Sequence, residues 1–381
     1  MRSAANAALI ARSQSGVMTA TADEATINSA HAVVSHTRAE AWDELVASHG
    51  GQPFQAWAWG ELKAHFGWQP FRLATANGAA TAQVLIRPYR GLAVAYVPRG
   101  PVLSGDKATD GELITAVVAL AKAHRAAFLR FEPDVLENDP TAEPLRASLR
   151  RFGFKTSDRT LQPHSSIRLD LSPTEDQLMA RFSKGHRADI RRAERDGVEI
   201  RVGAPEDADV LHQMLVATNT RKNFGFHSAG YYRRLLRDFG DNARIQVAQL
   251  DGRPIGASLI MAFGSHGIYL AAGSNAAGLE HRAAHLLQWH AIGWAKERGA
   301  QTWDLWGIAD ARGRHELAAA ANSTSAADLA KLDAQAKRDP LDGVYRFKKG
   351  WGGHVVRTVP AFDRVFIAPA YLYWQWRRGE A

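Results

Sequence analysis

The segment "HTRAEAWDELVASHG" (36–50) repeats apolar positions every three or four residues and stops at Gly50, which predicts a helix. "FQAWAWGELKAHFGW" (54–68) predicts a second. The pattern then changes to alternation. "FRLATA", a tight turn at Asn77 and Gly78, "TAQVLIRPY" and "LAVAYVPRGPVL" read as strands. A helix over "TDGELITAVVALAKAHRA" (109–126) leads to "AFLRFEPD", a buried strand with charges at its end, and "LRASLRRFGFKTS" adds another helix.

The second half repeats this order. "SPTEDQLMARFSKGHRADIRRAERDGVEIRV" opens on an N-cap signal and runs as helices into a strand. "DADVLHQMLVATNTRKNFGF" and "SAGYYRRLLRDFGD" are helical, and "ARIQVAQLDGRPIGASLIMAFGSHGIYLAAGS" reads as three strands joined by Asp-Gly and Gly-Ser turns. "HRAAHLLQWHAIGWAKERGAQTWDLWGI" is a helix followed by a strand. Such an order predicts an α+β protein with mostly antiparallel mixed sheets flanked by helices, and is the order of an N-acetyltransferase-like (GNAT) fold met twice.

Composition narrows the chemistry. At 381 residues, 46% hydrophobic and 23% charged, the chain is long enough for two cores. It has no cysteine, which excludes disulfide scaffolds, thiol nucleophiles and thiolate metal sites and suits a reducing cytosol. Its 15 histidines form no HExxH and no close pair backed by a carboxylate, so no metal is expected. A formal charge of +8 and a pI near 9.7 favour polyanionic partners: nucleic acid, anionic lipid or a pyrophosphate-bearing substrate. No apolar run approaches the roughly 20 residues that span a bilayer. Residues 1–30, rich in Ala, Ser and Thr, read as a disordered lead, with Met18 as an alternative start.

Several stretches together resemble the Fem family (FemABX) of non-ribosomal peptidyltransferases. They are "FQAWAWGELK" (54–63), "YVPRGPV" (96–102), "LRFEPD" (129–134), "FSKGHRADIRRAERDGVEI" (182–200), "IYLAAGSN" (268–275), "LLQWHAIGWAKERGAQTWDLWGI" (286–308) and "GVYRFKKGWGG" (343–353). The resemblance implies two tandem N-acetyltransferase-like (GNAT) domains, the first of residues 31–163 plus 360–381 and the second of 164–359. It implies attack by an amine of the peptidoglycan stem peptide on the ester of an aminoacyl-tRNA, the acceptor being lipid II or UDP-MurNAc-pentapeptide. No cofactor is implied beyond that donor. The implied place is the cytoplasm, with peripheral contact at the inner membrane. Residues 315–342 hold no long heptad arm and are expected to form one short helix and a loop.

Aminolysis of an ester concentrates negative charge on the carbonyl oxygen, so a fixed cation or backbone amides there are the expected protein contribution. By the resemblance, Lys348 is that cation and Phe347 lies beside the tRNA end, stacking on adenine. Taken alone, the lysine pair of "YRFKKGWGG" (345–353) is an exposed basic turn. Its glycines are expected to let the backbone approach a bulky polyanion. Arg346 and Lys349 are expected at phosphates or as solvated charge.

Lys63 closes a helix carrying Trp57, Trp59 and Leu62, where a cation complements the helix dipole. By the resemblance it grips the acceptor's pyrophosphate. In "TRKNFGFHSAGYY", His227 stands where the family often supplies an arginine, with Tyr231 matching a nearby tyrosine. Histidine carries little charge at neutral pH, so either Arg221 or Lys222 takes the phosphate or the acceptor's head group sits differently. Glu132 either accepts a proton from the amine or caps the neighbouring loop. Tyr269 lines the second cleft by resemblance and reads as core on its own.

In "KGHRADIRRAERDG" (184–197), spacings of three and four put Lys184, Arg187 and Arg191 near one helix face, either as a stripe for tRNA phosphates or as a solvated face. The C-terminal "APAYLYWQWRRGEA" sets four aromatic rings before two arginines, suited to packing on the first domain or to a membrane interface. Two rival enzymes share parts of this reading. An acetyl-CoA-dependent N-acetyltransferase needs a glycine-rich pyrophosphate turn, which "PYRGLA" and "RAAHLL" supply poorly, the latter placing His285 where glycine is required. An aminoacyl-tRNA-protein transferase uses the same donor with no pyrophosphate site. A non-catalytic RNA-binding protein ranks third.

Overall fold

The computed structural model describes residues 33–157, 159–222, 225–322 and 324–379. The expected disordered lead lies outside the described residues. In the first half come β1 (Val33–Ser35), α1 (Ala39–Ser48), α2 (Trp57–His65), β2 (Gln69–Thr75), β3 (Thr81–Tyr89) and β4 (Leu92–Pro98). There follow α3 (Lys107–Ala123), β5 (Ala126–Glu132), α4 (Ala142–Arg151) and β6 (Lys155–Ser157). The second half opens with β7 (Ser165–Asp170), α5 (Glu175–Arg181), α6 (Lys184–Arg195), β8 (Glu199–Gly203), α7 (Ala208–Lys222) and α8 (Ala229–Phe239). It continues through β9 (Ala243–Leu250), β10 (Arg253–Phe263), β11 (His266–Ser274), α9 (Ala276–Glu280), α10 (Ala283–Glu297) and β12 (Thr302–Gly307). The chain ends with α11 (Asp310–Ala320), α12 (Ala326–Ala336), α13 (Asp342–Lys349), β13 (His354–Arg357), β14 (Ala361–Val365) and α14 (Ala368–Gly379).

Among the described residues the strands form two seven-stranded sheets, ordered β1-β2-β3-β4-β5-β14-β6 and β13-β7-β12-β11-β10-β9-β8. Each is an antiparallel meander of four strands, then one parallel neighbour reached through helix, then two antiparallel strands. The parallel pairs are β4 with β5 and β11 with β12. Strand β14, near the chain's end, inserts into the first sheet between β5 and β6. This is the mixed α+β architecture the repeated order predicts.

Local chemistry explains the element starts. Thr174 and Gln177 form a reciprocal capping box at α5, and Ser183 and Ser228 cap α6 and α8 through their side-chain oxygens. One apolar core joins the halves: Trp42, Phe54, Trp59, Leu62 and Tyr96 pack with Leu211, Tyr231, Leu235, Ile245 and Met261. Burying these side chains is the main term holding the two sheets together.

Two expectations are corrected here. Residues 315–342 form two helices rather than one and a loop. Arg312 on α11 ties them down by ion pairs to Asp333 on α12 (2.7 Å) and to Asp342 at the start of α13 (2.8 Å). The lysines of "YRFKKGWGG" sit on the last turn of a helix, α13, rather than in a turn.

Candidate active site

Helix α2 presses on the first sheet at Gly60, where a Cβ would lie 2.4 Å from both Arg72 Nη2 and Gln83 Oε1. That approach sets Lys63, on the last turn, against α8 of the second half. Lys63 Nζ donates to the Tyr231 hydroxyl oxygen at 2.9 Å and lies 4.5 Å from the Trp59 ring centroid. Burial, helped by Arg87, lowers its ammonium to about 8. Among the described residues no carboxylate pairs with it, so it is a cation held by rings and one hydroxyl.

The Ser228 cap places Tyr231 and Tyr232 in the first turn of α8. His227 stacks on Tyr231 at 3.8 Å and its backbone N–H donates to the Tyr232 hydroxyl oxygen at 3.1 Å. Burial, then the charge of Lys63, lowers its imidazole to about 4. His227 is therefore neutral at physiological pH, and Lys63 is the cation of this cluster. Arg221 and Lys222 end α7, and their side chains lie outside the described residues.

Lys348 sits at the other end of the arrangement. It is 8% exposed, unlike the basic turn the pair suggests alone, and its Nζ donates to the carbonyls of Trp306 (2.9 Å) and Gly307 (2.6 Å). Burial lowers it to about 7, opposed by the charge of Asp304. An ammonium has three N–H groups, so one remains uncommitted. Lys349 is exposed with Glu316 Oε2 at 3.5 Å, and Arg346 is exposed without an ion pair among the described residues.

Phe347 packs its ring against His285 (5.1 Å), His186 (5.6 Å) and Trp351 (5.8 Å), and its carbonyl lies 2.7 Å from His186 Nε2. The expected purpose of the glycines is corrected by the same packing. A Cβ on Gly350 would fall 2.1 Å from the His186 ring, one on Gly352 2.5 Å from the Arg181 carbonyl, and one on Gly353 2.7 Å from the Arg168 carbonyl. These glycines admit the protein's own α5, α6 and β7, so their close approaches are internal.

Trp306 joins the two lysines and was missed by sequence reasoning. Its ring stacks on Phe54 at 5.1 Å, and Phe54 meets Trp59 edge-on at 4.7 Å, beside Lys63. Its carbonyl holds Lys348. The residue has φ +64°, a left-handed conformation costly for a side chain of this size, and lies where the β7–β12 register shifts. Its N–H donates to Asp304 Oδ1 at 2.7 Å.

A buried ion network underlies this bulge. Arg168 pairs with Asp134 (2.5 Å) and Asp304 (3.0 Å), and Arg99 lies 3.6 Å from Asp134 and 5.4 Å from the Trp306 ring. Burial alone would raise the Asp134 carboxyl, yet Arg168 and Arg99 hold it at about 2. The available signal was charge at the ends of strands, in "YVPRGPV", "LRFEPD" and "TWDLWGI".

Glu132 is buried and accepts from the Tyr96 hydroxyl (2.6 Å) and from the N–H groups of Leu161 (2.5 Å) and Gln162 (3.0 Å). Of its two expected roles, these bonds are those of a loop cap. Tyr269 is buried near Trp303, and its hydroxyl has no partner among the described residues. In the C-terminal helix α14, Tyr371 and Trp374 pack on Phe128, while Leu372, Tyr373 and Trp376 are exposed.

Fold and site define a two-sheet α+β protein with two lysines, one at the seam and one on the carbonyls of the second sheet's bulge, that form no ion pair among the described residues. The FemAB family model matches residues 38–253 and 251–375, and the chain belongs to that family. The UDP-N-acetylmuramoylpentapeptide-lysine N(6)-alanyltransferase of Weissella viridescens is 27% identical over 230 residues, 56% of this chain and 66% of that protein. A lipid II:glycine glycyltransferase of Staphylococcus epidermidis is 26% identical over 171 residues, 42% of this chain and 40% of that protein. The chain thus spans less than two thirds of the length of these curated relatives. The crystal structure of FemX superposes with a TM-score of 0.76 at 20% identity, covering 90% of this chain and 99% of that one, a likeness of fold.

Proposed function

We propose that this chain is an aminoacyltransferase that moves an amino acid from aminoacyl-tRNA to the stem peptide of a peptidoglycan precursor, lipid II or UDP-MurNAc-pentapeptide. The observation that carries the reading is the pair of lysines, Lys63 and Lys348, that form no ion pair among the described residues and are linked through Trp59, Phe54 and Trp306. The names of the Weissella and Staphylococcus relatives support the acceptor class.

In this reading an amine nitrogen of the stem attacks the ester carbonyl. An amide bond forms, the bond to the tRNA ribose oxygen breaks, and the proton released by the amine goes to that oxygen. Lys348, anchored by two carbonyls, directs its third N–H at the oxyanion, where a preorganised donor acts without reorganising. Lys63 takes the acceptor's pyrophosphate, with Tyr231 fixing its ammonium and neutral His227 lining the seat. Phe347 lies beside the donor's terminal base. The three donors already on Glu132 suit a structural rather than a proton-accepting part.

We place the reaction on the cytoplasmic side of the membrane. Among the described residues no helix is long and apolar enough to cross it. The exposed Leu372, Tyr373 and Trp376 suit peripheral contact. Sedimentation with liposomes tests that contact, and protein left in solution would remove it.

Incubation with radiolabelled aminoacyl-tRNA pools and either acceptor, followed by mass analysis, tests the reaction. The expected product is a stem peptide heavier by one or more amino acids. Transfer only to a protein N-terminus, or only from acetyl-CoA, would replace the reading with one of its rivals.

A further inference from the structure

Helix α6 carries cations that neither the core nor the site absorbs. Its first turn is fixed to the end of α13: Ser183 N–H donates to the Gly350 carbonyl at 2.8 Å, and His186 Nε2 lies 2.7 Å from the Phe347 carbonyl. From this anchor the helix runs about 16 Å to Arg195. Lys184, Arg191 and Arg195 are exposed, and none has an ion-pair partner among the described residues. At about 100° per residue, Arg191 and Arg195 each fall within about 20° of the line through Lys184, so the three share one face.

The neighbouring charges point elsewhere. Arg187, expected in the stripe, turns back and donates to the carbonyls of Ala180 (3.0 Å) and Phe182 (2.7 Å), ending α5. Asp189 faces Arg282 (3.3 Å) and His285 (3.5 Å). Asp196 faces Arg192 (3.5 Å) and His281 (2.9 Å). Glu194 is exposed and, among the described residues, forms no ion pair with the three cations, leaving the face net basic.

We propose that Lys184, Arg191 and Arg195 form a phosphate rail, on which the backbone of an RNA strand lies as it leaves the Phe347–Lys348 site. The proposal rests on the reading that the donor is aminoacyl-tRNA, and it names where this chain grips that donor. Three cations on one line of α6, the first beside the turn that anchors the helix to α13, complement a strand that carries a negative charge at every nucleotide. A solvated helix face has no need of that alignment, or of three cations that form no ion pair with the neighbouring carboxylates among the described residues.

The test is the triple variant Lys184→Gln, Arg191→Gln and Arg195→Gln, compared with wild type for binding of deacylated total tRNA by fluorescence anisotropy over a range of KCl. The expected result is affinity about tenfold weaker or more at moderate salt, with the slope of log affinity against log salt reduced by about 2. A control with the same charge change on the first sheet's helices, Lys107→Gln, Lys122→Gln and Arg151→Gln, is expected to bind as wild type. With aminoacylated tRNA, the rail variant lowers kcat/KM for the donor and leaves KM for the acceptor within about twofold.

Unchanged affinity and salt slope in the rail variant would overturn the proposal, as would equal losses in the control. So would loss of co-sedimentation with phosphatidylglycerol vesicles while tRNA affinity stays intact. If wild type binds tRNA through these residues yet transfers nothing from its aminoacylated form, the reaction fails and the rail stands. If transfer proceeds and the rail variant binds normally, the rail fails and the reaction stands.

Discussion

Lys348 Nζ donates to the Trp306 carbonyl at 2.9 Å, and the backbone that presents that carbonyl is in a left-handed conformation. The ammonium form of this buried lysine is thereby held by two carbonyl dipoles, helped by the charge of Asp304. Such a group is costly at rest and strongly attracted to any negative charge that arrives. That is the arrangement an oxyanion-stabilising lysine needs before substrate is present.

This relationship has a kinetic consequence. Lys348→Ala is expected to lower kcat by about 10²–10³, the usual cost of removing an oxyanion donor, with KM for the acceptor within about twofold. Steady-state transfer assays with each substrate varied in turn check it. A purely raised acceptor KM would reassign the residue.

It also has a thermodynamic one. Burial holds Lys348 at about 7 when folded, against the ordinary 10.5. Between those values the unfolded chain binds more protons, so stability rises with pH by about 1.4 kcal/mol per unit from this group. Lys348→Met removes that slope while the lowered Lys63 still contributes its own. Urea unfolding at pH 7, 8 and 9 is expected to show the variant's curve flatter than wild type's.

Lys63→Ala should act on the other substrate. Its ammonium is fixed by Tyr231 at 2.9 Å and has no carboxylate partner among the described residues. Losing it is expected to raise KM for a pyrophosphate-bearing acceptor about tenfold or more with a smaller change in kcat, because a charge-assisted contact to the acceptor is lost. Tyr231→Phe keeps the cation and should cost less. Equal effects of Lys63→Ala and Lys348→Ala on both parameters would count against the division of roles.

The strain at Trp306 can be read separately from its ring. Trp306→Ala loses the stacking on Phe54 and keeps a Cβ at φ +64°. Trp306→Gly loses the same stacking but relieves the backbone. The glycine variant is therefore expected to be about 1 kcal/mol more stable than the alanine variant, the reverse of their order in ordinary extended strand. Paired denaturant curves decide it.

Asp134 predicts behaviour in acid. Arg168 and Arg99 hold its carboxyl at about 2 against burial, below the ordinary 3.8. The stability from this depressed group is fully present above about pH 4 and is lost as pH falls through 2. Asp134→Asn is expected to cost about 3–5 kcal/mol at neutral pH, since it leaves buried guanidinium charge uncompensated, and to remove this share of the acid sensitivity. Unfolding curves at pH 6 and pH 3 measure both.

Much of the architecture was legible because periodicity is local. The meander from β9 to β11, the Thr174 start of α5 and the stop at Gly50 follow from alternation, capping chemistry and a backbone turn that glycine adopts freely at φ +71°. The candidate residues were less legible. Lys63, Tyr231 and His227 come together as expected from family pattern, but that His227 stacks neutral on Tyr231 instead of meeting an anion is a matter of burial, which spacing does not encode. The glycines of "YRFKKGWGG" were visible as a need for close approach, and what approaches them could not be known without α5, α6 and β7 in place.

The chain by itself determined its elements, their repeated order and its basic charge, because each depends on neighbours a few residues away, while resemblance to the Fem family singled out the lysines. Only the tertiary structure decided that Lys348 is buried on two carbonyls, that Lys63 is held by the Tyr231 hydroxyl and the Trp59 ring and that Trp306 links them. It also decided that three cations of α6 face outward together while Arg187 turns home. Those outcomes depend on groups far apart in the chain, 168 residues in the case of Lys63 and Tyr231. Desolvation and charge pairing are settled by which surfaces close on each other, and that is a property of the packed molecule.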